Sequence, residues 1–380
     1  MPTNESLLAT PEGFTEWNPF KGPLKNIEPW NFQLLAALMV VVTSLSIAEN
    51  FIVILVTVKF KQLRQPLNYI IVNLSVADFL VSVIGGTISI ATNSKGYFYL
   101  GSWACVLEGF AVTFFGIVAL WSLSVLAFER YIVICRPLGN LRLQGKHSAS
   151  AIIFVWVFSF VWTIPPTMGW SSYTTSKIGT TCEPNWYSGE TRDHTYIITF
   201  LTTCFIFPLL VIFVSYGKLM RKLRKVSDTQ GRLGSTRKPE KEVTRMVVIM
   251  ILAFLICWTP YAAFSILVTA YPTIDLDPRL AAIPAFFAKT ASMYNPVIYV
   301  YMNKQFRRCL YQMFHLNDPD AKESNINPTS ERGVLTHNNN GGEMLAIATH
   351  ITSSAVTNRE EEQSSCNSFA PVAENKVYPM

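Results

Sequence analysis

Seven stretches of this 380-residue chain are apolar for long enough to cross a lipid bilayer, and that limits what the chain can fold into. A helix rises about 1.5 Å per residue, so about 20 apolar residues cover the ~30 Å hydrocarbon core. The runs fall at residues 33–58, 69–92, 104–131, 149–169, 196–220, 244–270 and 280–302. Backbone N–H and C=O groups find no partner in lipid, so such runs must close their hydrogen bonds internally, as helices. The expected fold class is an all-α membrane protein, a seven-transmembrane-helix bundle. Only 15% of residues are charged and 50% are hydrophobic, whereas soluble domains carry about 25% charge. With 25 Phe, 15 Tyr and 9 Trp, disorder of the whole chain is excluded as well. Pro208, Pro260 and Pro296 fall inside the last three runs. Membrane helices tolerate such breaks when neighbours satisfy the freed carbonyls, and a kink also suits a helix that moves.

The positive charges set the orientation. Lys59, Lys61 and Arg64 follow the first run; Arg136, Arg142 and Lys146 follow the third; nine Lys and Arg between Lys218 and Lys241 follow the fifth. The opposite loops hold few, such as Lys95, Lys177, Arg192 and Arg279. Positive loops stay in the cytoplasm, which puts the N-terminus outside and the C-terminus inside. The net charge of +6 is thus a topology signal, and no nucleic-acid partner is implied. Residues 1–32 form an extracellular segment, and residues 33–302 the helical domain. Met1 to Lys25 has no apolar core of the signal-peptide kind, so the first span is expected to direct insertion. Asn4-Glu5-Ser6 is a glycosylation sequon on the outer side. Residues 317–380 are polar and read as a disordered cytoplasmic tail. Of the seven cysteines, only Cys105 and Cys182 face the oxidising side, and a disulfide between them is expected. Cys204 and Cys257 lie within spans as small apolar packing residues; Cys135, Cys309 and Cys366 are cytoplasmic.

Ionisable residues inside spans cost about 2.5–3.5 kcal/mol each at mid-helix and mark function by default. Lys289 lies near the middle of the seventh run, too deep to reach either surface easily. An ammonium there needs a carboxylate partner, or it sheds its proton. Two readings stand: a structural ion pair, or a desolvated amine of the kind that condenses with an aldehyde. Glu108 lies three residues after Cys105, one turn deeper in the outer half of the third run. It is either a counterion to Lys289 or a water-exposed glutamate at a helix mouth. Cys105 to Arg130 is 130 − 105 = 25 residues, about 37 Å of helix, so Glu129-Arg130-Tyr131 lies at the inner surface. The adjacent acid and base can pair there and release Arg130 to a cytosolic partner. Asn50, Asp78 and Asn295 are polar at mid-membrane and are expected to form a hydrogen-bonded cluster, as helix glue or as a hinge. Glu49 faces either that cluster or lipid.

Taken in order, Asn50; Leu74-Ser75-Val76-Ala77-Asp78; Cys105; Glu129-Arg130-Tyr131; Trp156; Pro208 and Tyr216; Cys257-Trp258-Thr259-Pro260; and Asn295-Pro296-Val297-Ile298-Tyr299 resemble the rhodopsin-like G-protein-coupled receptors over residues 30–315. Within them, Lys289 six residues before Asn295-Pro296 is similar to the retinal-attachment lysine of opsins, and Glu108 to the Schiff-base counterion of vertebrate types. The stretches 105–116 and 178–186 resemble the vertebrate ancient group of non-visual opsins. The resemblance implies a short amphipathic eighth helix at 303–316 and covalently bound 11-cis-retinal. It implies a pocket that includes Thr113, Gly116, Phe205, Trp258 and Tyr261. It assigns G-protein coupling and switching to Glu129, Arg130, Tyr131, Asn295, Pro296 and Tyr299. The partners implied are membrane lipid, a heterotrimeric G protein of the inhibitory or transducin type, and a receptor kinase and arrestin acting on Thr352, Ser353, Ser354, Ser364 and Ser365. A plasma membrane or photoreceptor-type membrane follows.

Two positions depart from the opsin pattern. Ser176 stands six residues before Cys182, where many opsins have glutamate, which leaves Glu108 as the one carboxylate expected near the imine. His315 and Leu316 stand where a palmitoylated cysteine pair is usual, with Cys309 a weak substitute. Three rival readings have discriminators. A receptor for a diffusible ligand has no need of a buried lysine. A light-driven pump wants carboxylates along a proton path. A retinal photoisomerase, the enzyme-class reading, makes the cytosolic motifs dispensable.

Overall fold

The computed structural model describes residues 17–135, 145–229 and 238–316. The chain divides into two units, Met1–Glu323 and Ser324–Met380, and the second lies outside the described residues. So do Asn4, Arg136, Arg142, Cys366 and the five tail Ser and Thr positions.

Besides short 3-10 turns at Lys61–Leu63 and Pro165–Thr167, eight helices and one hairpin make up the first unit's described elements, in this order: α1 (Pro29–Lys59), α2 (Pro66–Lys95), α3 (Gly101–Cys135), α4 (Gly145–Thr163), β1 (Tyr173–Thr175), β2 (Cys182–Pro184), α5 (Thr191–Phe200, Leu201–Ile206 and Phe207–Thr229 in succession), α6 (Lys238–Ala270), α7 (Pro278–Met302) and α8 (Lys304–Met313). Pro at the first helical position opens α1, α2 and α7, where a missing N–H costs nothing. Six of these helices are long and apolar enough to cross a membrane. The seventh, α7, has 25 residues, but its apolar character is diluted by Lys289, Thr290, Ser292 and Asn295, which face the bundle rather than lipid. The run expected at 149–169 ends as α-helix at Thr163, because Pro165 and Pro166 cannot donate to the turn before them.

α3 is the most buried span and forms the axis of the bundle, with Leu120, Leu123 and Leu126 packed on α2, α5 and α6. Two spans are not regular. α2 contains a π turn at Ser82–Gly86 and α5 one at Leu201–Ile206. An inserted residue rotates everything beyond it by about 100°, and such bulges gather at functional sites. In α2 the outer half is thereby turned so that Ser89, Thr92 and Asn93 are buried. Gly85 and Gly86 permit the close approach. A Cβ on Gly86 would lie 2.6 Å from Thr43 Oγ1, and one on Gly85 2.4 Å from Val112 Cγ2.

The β1–β2 hairpin pairs Thr174 with Glu183 and Thr175 with Cys182 in antiparallel register. The Cys105–Cys182 disulfide ties it to the outer end of α3. Closing a loop of 77 residues restrains the unfolded chain by about 4.5 kcal/mol in the chain-entropy picture. Gly109 seats the hairpin on α3, since a Cβ there would fall 2.7 Å from the Tyr173 ring. At the cytoplasmic end, Asn303 caps α8 by accepting from Phe306 N at 3.0 Å, and Phe306 packs on Tyr299 with ring centroids 4.7 Å apart. Cys309 is fully buried there and accepts from Gln62 at 2.9 Å, a poor position for a lipid anchor.

Candidate chromophore site

Lys289 projects from α7 toward α3, and its Nζ is 3.1 Å from Glu108 Oε1. The lysine side chain is 15% exposed and the glutamate 0%, so water screens the pair poorly. Of the two readings of Glu108, the helix-mouth glutamate is excluded by that burial. Three donors converge on its carboxylate. Lys289 reaches Oε1, Ser89 Oγ donates to Oε1 at 2.7 Å, and the backbone N–H of Cys182 donates to Oε2 at 3.0 Å. Lys289 Nζ also donates to Ser89 Oγ, so the serine relays between amine and acid. A buried charge is tolerable only with such partners.

Lys289 is part of the wall of a cavity running between α3, α5, α6 and α7 beneath the hairpin, and Glu108 stands behind that wall in contact with its amine. Thr113, Gly116, Phe205, Trp258 and Tyr261 all line the cavity. The Trp258 ring stacks on Phe254 at 5.5 Å and approaches Tyr261 edge-on at 6.1 Å. Gly116 leaves room for the indole, since a Cβ would lie 3.0 Å from Trp258 Cη2. Thr113 instead returns its hydroxyl to Gly109 O at 2.7 Å.

Sequence reasoning missed three contributors. Ser89 gave only the weak signal of a small polar residue at mid-span. Trp186 donates from Nε1 to Tyr261 Oη at 3.1 Å and lines the cavity from the hairpin side. Glu183 also lines it, at 6% exposure, which corrects the expectation that Glu108 is the one carboxylate available. Ser176 brings no carboxylate to the site. Its hydroxyl accepts from Thr181 Oγ1 at 3.0 Å. The adjacent pair Cys182-Glu183 returns an acid to the pocket from a different position, because successive strand side chains point to opposite sides.

At the cytoplasmic end, Arg130 donates through Nε and Nη2 to both oxygens of Glu129, and both residues are buried. Lys218 lies over the Tyr131 ring at 5.5 Å. The expected polar cluster is two linked sets. Asn295 Nδ2 donates to Asp78 Oδ2 at 2.9 Å, and Asn50 Nδ2 donates to the Ser292 carbonyl at 2.9 Å. Ser82 joins them, bonding Ser46 at 2.7 Å and donating to the Asp78 carbonyl at 2.8 Å. Pro296 is buried one residue below Asn295. Glu49 is half-buried, and its Oε2 meets no hydrogen-bond partner among the described residues; we have no physical account of it.

The family model for the 7 transmembrane receptor (rhodopsin family) matches residues 49–299. Opsin-VA of Rutilus rutilus is 66% identical over 96% of this chain and 96% of its own length. Vertebrate ancient opsin of Salmo salar is 72% identical over 76% of this chain and 88% of its own length. Pineal opsin of Petromyzon marinus is 68% identical over 79% and 67%, respectively. Among solved structures, the crystal structure of squid rhodopsin superposes with a TM-score of 0.72 at 23% identity, covering 81% of this chain and 95% of that one.

Proposed function

We infer the function from one premise: this chain belongs to the opsins, within the rhodopsin family of seven-transmembrane receptors. It is a multi-pass membrane protein and a light-sensing G-protein-coupled receptor, of a family whose members are receptors rather than enzymes. That family binds retinal and couples to heterotrimeric G proteins. The finer reading is that 11-cis-retinal is held covalently through Nζ of Lys289, with Glu108 as counterion.

The residues present fit that group. A long polyene with one cationic end needs an apolar slot with one anion at one end, and the cavity has aromatic walls with Glu108 beside the amine. The Lys289–Glu108 contact is the observation that carries the reading. When bound, retinal supplies absorption of visible light and a change of shape on isomerisation. The protein's own residues do the rest. Glu108, held by Ser89 and the Cys182 N–H, keeps a positive charge on the Lys289 nitrogen. The hairpin and its disulfide close the slot to water. Trp258 and the Pro260 kink on α6 transmit pressure from the slot toward the cytoplasmic end. Release of Arg130 from Glu129 there, with repacking around Asn295, Pro296 and Tyr299, opens a surface for a G protein of the inhibitory or transducin type. The basic loops support a cytoplasmic position for that surface and an outer N-terminus, and the function suits a plasma or photoreceptor-type membrane.

The test is reconstitution with 11-cis-retinal, followed by a dark-minus-light difference spectrum and light-stimulated nucleotide exchange on that G protein. A protein that forms no visible pigment, or exchanges equally in darkness and light, would sink the reading. Glu129→Gln leaves Arg130 buried beside an uncharged partner, and losing one member of a buried pair costs about 3–5 kcal/mol. Exchange in the dark should rise severalfold in that variant; a dark rate unchanged from wild type argues against the pair as a lock. Kinase and arrestin recognition is assigned to Thr352, Ser353, Ser354, Ser364 and Ser365. Alanine at all five should abolish light-dependent phosphate uptake, and undiminished uptake would place the sites elsewhere.

A further inference from the structure

Glu183 is a buried acid that the mechanism so far does not use. Both of its oxygens are occupied: Tyr187 Oη approaches Oε1 at 2.6 Å and Tyr261 Oη approaches Oε2 at 2.5 Å. The proton arithmetic favours the anion. Tyr261 Oη already accepts from Trp186 Nε1, so its own proton points away from the indole, and Glu183 Oε2 is the acceptor in reach. A carboxylate that only accepts suits two hydroxyl donors without conflict. Position adds to this. The backbone N–H of Cys182 serves Glu108, while the next residue turns its side chain to the cavity, so one strand touches both acids. Tyr261 and Trp186 place Glu183 toward the α6 and α5 side of the slot, since Trp186 packs on Phe200 with centroids 6.4 Å apart.

We propose that Glu183 is a second anion of the chromophore slot, acting alongside Glu108 on the cation at Lys289 and held in its charged form by Tyr187 and Tyr261. This rests on the reading that Lys289 carries the chromophore. The groups acting on Glu183 come from three elements: Tyr187 just after β2, with Lys177 over its ring at 5.4 Å; Tyr261 on α6; and Lys289 on α7. Burial holds the Glu183 carboxyl above its ordinary range, against the opposing pull of the two tyrosine hydroxyls, the Lys289 charge and Trp186. An acid so placed takes a proton on acidification earlier than an exposed glutamate. The anion, and with it the support for the cation, is therefore present at higher pH and lost as pH falls.

The experiment uses full-length protein reconstituted with 11-cis-retinal. The pH midpoint at which the visible band converts to an ultraviolet one is titrated in wild type, Glu183→Gln, Glu108→Gln and the double variant. Glu183→Gln should keep a visible pigment whose midpoint falls by about one pH unit, tenfold in the protonation constant, as expected for a charge that acts on the amine without the direct contact Glu108 makes. The double variant should titrate about tenfold below Glu108→Gln. In mild acid the wild-type visible band should shift, and that shift should be missing in Glu183→Gln. Tyr187→Phe removes one donor to Glu183 and should lower the midpoint in the same direction. It keeps the test available if Glu183→Gln folds poorly. Midpoints unchanged in Glu183→Gln and Tyr187→Phe, with the acid shift retained, would overturn the proposal. Failure of wild type to form any visible pigment would instead overturn the chromophore reading beneath it.

Discussion

Lys289→Ala should yield a protein that takes up no retinal covalently and shows no visible band. The expected effect is total rather than graded. Among the described residues, Lys289 is the one lysine on the wall of the cavity, and no other side chain there can form an imine. Wild type supplies the control. Borohydride added to illuminated samples reduces an imine to a stable secondary amine, so retinal should become fixed to a peptide containing Lys289 and be found there by mass spectrometry. The variant leaves Glu108 without its ion-pair partner, at a cost of about 3–5 kcal/mol, with Ser89 and the Cys182 N–H remaining as donors to the carboxylate, so its folding is checked by far-ultraviolet circular dichroism beside the spectrum. A coloured, covalently loaded alanine variant, or wild-type label on another lysine, would end the assignment.

Glu108→Gln carries the next largest effect. Glutamine keeps the shape and the bond from Ser89 but not the charge. At the observed 3.1 Å, and with an effective dielectric of about 20, the pair is worth about 5 kcal/mol. That corresponds to about four pH units in the titration midpoint of the imine. The visible band should therefore convert to the near ultraviolet at neutral pH and return on acidification. An unchanged visible band would mean that the principal counterion lies elsewhere. The residual support in this variant is the quantity that the Glu183 comparison isolates.

The ion pair between Lys289 and Glu108 was legible because both residues break a rule that lipid enforces. A charge inside an apolar run stands out in one dimension, and helical rise alone puts Glu108 one turn below Cys105. The same ruler placed Glu129-Arg130 at the inner surface. The disulfide was legible by compartment. Ser89, Glu183 and Trp186 were not. Ser89 faces inward only because a π turn at Ser82–Gly86 rotates the outer half of α2, and Gly85 and Gly86 alone do not predict an inserted residue. Glu183 sits in a polar loop sequence where acids are ordinary. Its burial depends on the hairpin folding down onto α3, which Gly109 and the disulfide permit.

By itself the sequence determined the number of spans, their order, the acid–base pair and the family motifs, because bilayer thickness and the cost of buried charge act on local composition. The tertiary structure alone decided which polar groups meet: how the π turns rotate each helix, and which loop side chain enters the slot. Those outcomes depend on close packing between segments far apart in the chain, and close packing leaves no one-dimensional trace.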